Sequence, residues 1–431
     1  MKFRVEHDAL AESVAWVARE LPSRPVMPVM AGLRLEATEA GLALSCFDYD
    51  LAAAVQVPAE VSEPGTALVP GRLLADITRS LPGEPAEFAS DGDEVTLTCD
   101  SAEFALVSLP LAEYPPLPPA PPVAGVIDGG ELAAAIGQVL PAASKDDTLP
   151  VLTAVSLEID GATITLAATD RYRLAVRRLG WQPSDTSLRA LALVPARTLA
   201  GAARVMTAGV PVTVSLTAAG VEQEPGGQHP AEGMISFDSG GRRLSGRLLA
   251  GDFIRYESRF PAEFSCRAEL PAAAFTEAVR RVSLVADRAS PVQLSFGDGK
   301  VTISARTEGR ARAVEAVTAS FDGDSPVIAF NPQFLLDGLI ATGTKSAAKD
   351  AAAAAGEDAG TPEPAEKPAK RRKGAQPDRD DAAGPATVQL DFTSPAKPAL
   401  ITAGTAGGGG AAGETPAEYR YLLVPLRPAG D

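Results

Sequence analysis

The stretch Leu68-Val69-Pro70-Gly71-Arg72-Leu73 returns as Leu193-Val194-Pro195-Ala196-Arg197-Thr198-Leu199. It returns again, in degenerate form, as Ala329-Phe330-Asn331-Pro332-Gln333-Phe334-Leu335. Each version begins as a short apolar strand and runs into a helix with proline in or beside its first turn, where the missing N–H is tolerated. Val69 to Val194 is 125 positions, and Val194 to Phe330 is 136. A second pattern keeps nearly the same period. Leu10, Val14 and Val17, then Leu132, Ile136 and Val139, then Phe275, Val279 and Val282 are spaced by four and three, which lines one face of a helix. Leu10 to Leu132 is 122 positions, and Leu132 to Phe275 is 143. Each stripe follows a short strand: Phe3-Arg4-Val5, Val126-Ile127 and Arg267-Ala268-Glu269-Leu270. Two signals in one order on one period mark three copies of a single unit, too long for a solenoid repeat.

Working outward, the segments between the helices alternate apolar and polar. Leu33-Arg34-Leu35-Glu36, Val95-Thr96-Leu97-Thr98-Cys99, Ile164-Thr165-Leu166, Val212-Thr213-Val214-Ser215-Leu216 and Val301-Thr302-Ile303-Ser304 all have the period of two that predicts half-buried strands. Asp91-Gly92, Asp160-Gly161 and Asp298-Gly299 predict tight turns. Each copy therefore reads strand–helix–strands, twice over. The expected fold class is α+β, with helices in one layer on antiparallel sheet. The expected domains are residues 1–122, 123–262 and 263–431. The third is interrupted at 342–386 by an alanine-, proline- and charge-rich insertion ending near Lys370-Arg371-Arg372-Lys373, a composition that cannot build a core. Glu222–Glu232 and Gly407–Gly410 read as further loops.

Length and composition agree. A chain of 431 residues suggests about three domains, and at 45% hydrophobic and 22% charged it can bury cores. The net charge of −16 excludes a polycation that coats nucleic acid, so contact with DNA must come from a local basic surface. His7 and His229 are the two histidines, and Cys46, Cys99 and Cys266 make no C-x-x-C pair. No metal site, cofactor or disulfide framework is expected from such a set, which fits a reduced, cytoplasmic chain. Met1-Lys2-Phe3-Arg4-Val5-Glu6 reads as a charged strand, not a signal peptide, and no apolar run is long enough to span a membrane.

Three local motifs on this threefold frame resemble one family. Ser23-Arg24-Pro25-Val26-Met27-Pro28-Val29 is similar to an R-P-x-x-P segment. Ala168-Thr169-Asp170-Arg171-Tyr172-Arg173-Leu174-Ala175 is similar to a T-D-x-[HY]-R-L segment, and Tyr421-Leu422-Leu423-Val424-Pro425-Leu426-Arg427 to a terminal P-[MV]-R segment. In this order they resemble the bacterial DNA polymerase III beta subunit, the sliding clamp, over essentially the whole chain except the insertions. The resemblance implies a head-to-tail homodimeric ring, helices inside and sheets outside, that encircles double-stranded DNA without reading its sequence. Such a ring tethers the polymerase for processive replication. It has no chemistry of its own; the reaction of the whole assembly is DNA-directed DNA polymerisation. A sliding ring needs weak, exchangeable phosphate contacts. The expected DNA-facing cations on or beside the helices are Arg24, Arg72, Arg79, Lys145, Arg197, Arg204, Arg280 and Arg281, with Arg288 beyond them. The same charges also suit an ordinary solvated helix face.

The resemblance further implies a cleft that takes short apolar peptide motifs from polymerase and clamp-loader subunits. Carried over by position, its walls are Leu152, Thr169, Arg173, Leu174, Ile254, Ser258, Asn331, Phe334, Pro398, Leu422, Val424, Pro425, Leu426 and Arg427. The family segment G-R-F-P-D-Y-R-R-V corresponds to Gly251-Asp252-Phe253-Ile254-Arg255-Tyr256-Glu257-Ser258-Arg259. Here Ile254 replaces a proline and Ser258 an arginine, and Ala289 stands where a larger side chain is common. Ring closure is expected at the edge Ala102-Glu103-Phe104-Ala105-Leu106, with Phe104 and Leu106 as apolar anchors. Leu284 stands opposite, as do Arg310 and Arg312 in the arginine-rich segment Arg306–Arg312. Conventional clamps place the arginines on the first of these faces and acids on the second, so the polarity here is expected to be reversed on both.

Two other readings compete. Asp48 and Asp50 flank Tyr49, and paired carboxylates can hold a divalent cation or transfer protons, although no glycine-rich phosphate loop or histidine accompanies them. A specialised clamp paralogue, serving repair or drug tolerance through an altered cleft, is the second alternative.

Overall fold

The computed structural model describes residues 1–217, 233–286, 290–307, 309–323, 327–343, 386–404 and 419–426. Most of the expected insertion, the Glu222–Glu232 and Gly407–Gly410 loops, and Arg288, Ala289 and Arg427 lie outside the described residues.

Six α-helices fall among the described residues: α1 (His7–Arg19), α2 (Gly71–Ser80), α3 (Gly129–Val139), α4 (Ala196–Ala203), α5 (Ala272–Ser283) and α6 (Pro332–Gly343). They are the two helices expected in each of three copies, and α6 runs two residues into the expected insertion. The three leading stripes are fully buried: Leu10, Val14 and Val17 on α1, Leu132, Ile136 and Val139 on α3, and Phe275, Val279 and Val282 on α5 are each at most 2% exposed. Burying side chains of this size contributes about 1.5–3 kcal/mol each, which secures helices of only 8–13 residues that would be marginal alone. None of the described helices is long and apolar enough to cross a membrane.

The chain divides into two compact units. The first comprises Met1–Ile136, Ala143–Leu166 and Leu179–Phe253, and the second Gly137–Ala142, Ala167–Arg178 and Ile254–Asp431. The first unit fuses two copies because one nine-stranded antiparallel sheet runs through both. Strand Arg242–Arg247 of the second copy pairs with Leu51–Val57 of the first, from Arg242 opposite Val55 to Gly246 opposite Leu51. Gly246 is required at this seam, since a Cβ there would sit 2.5 Å from the Thr198 side chain on α4. This unit also holds a five-stranded antiparallel sheet, in the order Glu60–Glu63, Lys2–Val5, Ala86–Asp91, Glu94–Cys99, Ala102–Val107, and the paired strands Ala154–Asp160 and Arg189–Pro195. The expected turns at Gly92, Gly161 and Gly299 have φ of +58°, +56° and +70°, the left-handed values that favour glycine.

The second unit contains a four-stranded antiparallel sheet, in the order Ala311–Thr318, Lys300–Thr307, Val292–Gly297, Val327–Phe330. Strand Tyr419–Leu423 lies between Ala399–Ala403 and Arg173–Gly180, placing Leu423 opposite Arg173 and Tyr419 opposite Arg177. Helix α6 crosses these strands at Gly338, where a Cβ would meet the Tyr421 ring at 2.6 Å. That approach explains a glycine in mid-helix.

Candidate partner cleft and nucleic-acid interface

The segment Thr169-Asp170-Arg171-Tyr172-Arg173 folds back on itself in the second unit. The Thr169 hydroxyl donates to the Arg173 carbonyl at 2.6 Å, and Asp170 Oδ1 accepts from the backbone N–H of Tyr172 and of Arg173, both at 3.0 Å. Arg171 takes φ +80° at the apex. These polar side chains serve the turn, a use open to short hydroxyl and carboxylate groups. The turn launches Arg173 inward. Its guanidinium is 8% exposed, donates to Asp170 at 3.0 Å and to Asp337 at 2.5 Å, and lies 4.2 Å from the Phe334 ring centroid. Burial alone would lower its pKa. Tyr421 and the carboxylates of Asp337 and Asp170 outweigh that and hold it above the ordinary value.

Helix α6 supplies the other wall. Asn331 caps it, accepting from the N–H of Gln333 and Phe334 at 3.0 and 3.1 Å. This cap aims Phe334 at Tyr172, with ring centroids 6.4 Å apart. Gln333 donates to the second oxygen of Asp337 at 2.7 Å. The Tyr421 hydroxyl donates to the Phe334 carbonyl at 2.8 Å, and burial drives its pKa well up. The chain end closes the group: Val424 N–H donates to the Tyr172 carbonyl at 2.9 Å and Leu426 N–H to the Ala329 carbonyl at 2.7 Å. What results is an apolar rim, with Tyr172 53% and Val424 and Leu426 each 37% exposed, above a charged floor locked by Arg173.

The expected wall residues divide accordingly. Thr169, Arg173, Leu174 and Leu422 are buried supports. Phe334, Asn331, Pro398 and Pro425 are half-buried, and Ile254 and Ser258 are exposed. Leu152 belongs to the first unit and is half-buried there. Tyr172, Asp337, Gln333 and Tyr421 escaped the sequence reading as members of this group. Gln333 and Asp337, one helical turn apart beside an asparagine cap, were the available signal.

All eight expected DNA-facing cations are exposed. Arg24, Arg72 and Arg197 line one cleft of 540 Å³ in the first unit. Arg19 joins them there, a residue the sequence reading passed over. Five of the eight are already engaged by carboxylates: Arg79 with Asp76 at 3.4 Å, Arg197 with Asp50 at 2.9 Å, Arg204 with Glu20 at 3.3 Å, Arg281 with Glu315 at 2.6 Å, and Arg280 with Glu277. Arg72 donates to the Pro22 carbonyl at 3.3 Å. Among the described residues no carboxylate pairs with Arg24 or Lys145.

Strand Ala102–Val107 is indeed an edge of its sheet, and so is Ala311–Thr318. Leu106 is 2% exposed, however, because its side chain enters its own unit's core. Phe104 shares that inward face and is half-buried, so the strand's outward apolar group is Val107, which is 69% exposed. Glu103, Arg310 and Arg312 are exposed, and Leu284 is 82% exposed. The acid pair at Asp48 and Asp50 does not act as a pair. Asp48 Oδ1 accepts from the N–H of Asp50 and Leu51 at 3.1 and 2.7 Å, while Asp50 turns to Arg197. No cluster of histidine, cysteine and acidic residues able to hold a metal occurs among the described residues.

Repeated helix pairs on antiparallel sheet, with arginine-bearing helices and an aromatic rim over a buried ion-pair network, define an α+β protein built from a repeated unit. Residues 1–118, 126–254 and 257–348 match, in order, the N-terminal, central and C-terminal domains of the DNA polymerase III beta subunit. The chain is 44% identical over 430 residues to the beta sliding clamp of Streptomyces coelicolor, covering 100% of both. It is 43% identical over 339 residues to the beta sliding clamp homolog GriR of Streptomyces muensis, covering 79% of this chain and 88% of that one. Its fold matches the DNA polymerase sliding clamp from Bacillus subtilis with a TM-score of 0.79 at 22% identity, over 99% of each chain. The chain belongs to the DNA polymerase III beta subunit family, the beta sliding clamps.

Proposed function

We propose that this chain is the DNA sliding clamp of a bacterial replicase. Two copies join head to tail into a ring around duplex DNA, and the ring tethers the polymerase and so confers processivity on DNA replication. Three clamp domains, bounded near residues 122 and 262, supply the helices whose cations face the duplex. The chain itself performs no reaction, and it acts in the cytoplasm, on the chromosome. The observation that carries this reading is the end-to-end 44% identity with a beta sliding clamp, on a chain whose three domains match the family in order. The cleft built on Arg173 and Phe334 receives short peptide motifs of polymerase and loader subunits. An apolar rim over a rigid floor supports that role, since a short peptide needs pre-formed pockets for its anchors. The test is primer extension on a long single-stranded template with the cognate polymerase and loader. The chain is expected to lengthen the products made in one binding event. Products of unchanged length contradict the proposal.

The second reading, a paralogue dedicated to repair or drug tolerance, draws on the exposed Ile254 and Ser258, where the family carries proline and arginine. Depleting the chain from its host separates the two. Arrest of bulk replication supports the replicative clamp; normal growth with impaired repair or tolerance supports the paralogue.

A further inference from the structure

Asp50 is placed with unusual definition for an exposed acid. Its N–H is held by Asp48 Oδ1 at 3.1 Å, and its carbonyl accepts from the Arg247 N–H at 2.8 Å. The intervening Tyr49 adopts φ +72°, a conformation that tyrosine rarely takes. The turn points the Asp50 carboxylate at the Arg197 guanidinium, 2.9 Å away and 147 residues distant in sequence. Both side chains remain more than half exposed, so the pair contributes little to stability and stays open to exchange. It also stands between two clefts. One, of 540 Å³, gathers Arg19, Arg24, Arg72 and Arg197 against Glu20, Asp48 and Asp50. The other, of 420 Å³, adds Ser144, Thr153 and Arg247 on the far side of the same pair. Four arginines and three carboxylates share the first cleft, Asp147 joins the second, and the carboxylate of Asp50 engages Arg197.

We propose that Asp50 is an internal stand-in for a DNA phosphate: it competes with the duplex for Arg197 and thereby limits how tightly the clamp grips DNA while sliding. The inference rests on the sliding-clamp reading and specifies how its DNA surface is regulated. When Arg197 passes from Asp50 to a phosphate, one ion pair replaces another. Counterions released from the DNA are then offset by counterions gathered at Asp50. The contact adds almost nothing to net affinity, yet it can be made and broken at every step along the backbone. Arg24 and Lys145, with no carboxylate partner among the described residues, supply the net attraction.

The test uses the full chain with Asp50→Asn, which keeps the side-chain shape and leaves the backbone hydrogen bonds of the turn in place. Binding to a short linear duplex is followed against salt. Freeing one phosphate contact steepens the log–log slope by about 0.9, hence about 1.8 for a two-chain ring. Affinity then falls about twelvefold more between about 50 and 200 mM salt than for the unaltered protein. The double variant Asp50→Asn/Arg197→Gln returns to the original slope. An unchanged slope in Asp50→Asn, or steepening that persists in the double variant, overturns the inference. If circular dichroism shows Asp50→Asn misfolded, Asp50→Ser carries the same prediction. Loader-driven retention of the unaltered protein on nicked circles is measured alongside. Retention with an unchanged slope refutes the Asp50 role alone, whereas absent retention refutes the clamp reading and the inference with it.

Discussion

Replacing Arg173 by methionine removes the cation that two carboxylates were folded around. Asp170 and Asp337 are 14% and 17% exposed, and Arg173 is 8% exposed, so none of the three charges is well hydrated. Taking one partner from a buried ion pair costs about 3–5 kcal/mol, because the remaining charge keeps its desolvation penalty without compensation. The contact with the Phe334 ring, 4.2 Å from the guanidinium, is lost as well. Asp337→Asn is milder. Asp170 still neutralises Arg173, and the loss approaches that of one charged hydrogen bond, about 1.5–3 kcal/mol. Urea unfolding provides the assay. Trp16 and Trp181 both lie in the first unit, so tryptophan fluorescence is the internal reference and far-ultraviolet circular dichroism reports the whole chain. Arg173→Met should draw out an early circular-dichroism transition while the tryptophan midpoint moves less. A cost below about 1 kcal/mol, or a larger cost for Asp337→Asn than for Arg173→Met, refutes the view of Arg173 as the locked floor of the cleft.

Other outcomes follow from the same geometry. Phe275→Ala empties a fully buried position on α5 and should cost about 3–5 kcal/mol in the circular-dichroism transition. Gly246→Ala forces a methyl group against Thr198 and should cost about 1–3 kcal/mol, seen in tryptophan fluorescence because the seam lies in the first unit. Burial raises the pKa of Glu20 above its ordinary value, against the lowering pull of Arg204, Arg19 and Arg197. An acid with a raised folded pKa contributes stability while protonated and loses it as pH rises through that pKa. Glu20→Gln should therefore raise the thermal midpoint at neutral pH, with the gain vanishing below about pH 4.5; a uniform shift at every pH would contradict this. Glu103→Arg sets like charges against Arg310 and Arg312 if the ring closes with reversed polarity, and should lower the dimer fraction in sizing at low concentration. A tighter dimer would count against reversed polarity.

The helices and most strands were legible because local periodicity reports a buried face directly. The stripe at Leu10, Val14 and Val17 needs no knowledge of what covers it. Three features were not legible in that way. Strand Arg242–Arg247 carries no mark that its open side pairs with Leu51–Val57, since an edge strand and an interior strand alternate alike. Three sequence copies therefore became two compact units. The Arg173–Asp337 contact spans 164 residues and the Asp50–Arg197 contact 147, and charge patterns fix no partner at such separations. Leu106 was expected as an outward anchor of its strand, but the alternation of Ala102–Val107 assigns it to the buried face and Val107 to the exposed one. Of the cleft, the motif residues Thr169 and Arg173 were readable from the resemblance. Their role as supports beneath the rim emerged only with the turn that Asp170 builds and the α6 helix that carries Asp337.

The most direct test is topological. The chain is loaded by its cognate loader onto nicked circular duplex, excess protein is removed by gel filtration, and half of the sample is linearised. Stable co-elution with circles and rapid loss from linear molecules is the expected result. Equal retention on both forms, or on neither, contradicts a ring that holds DNA by encirclement.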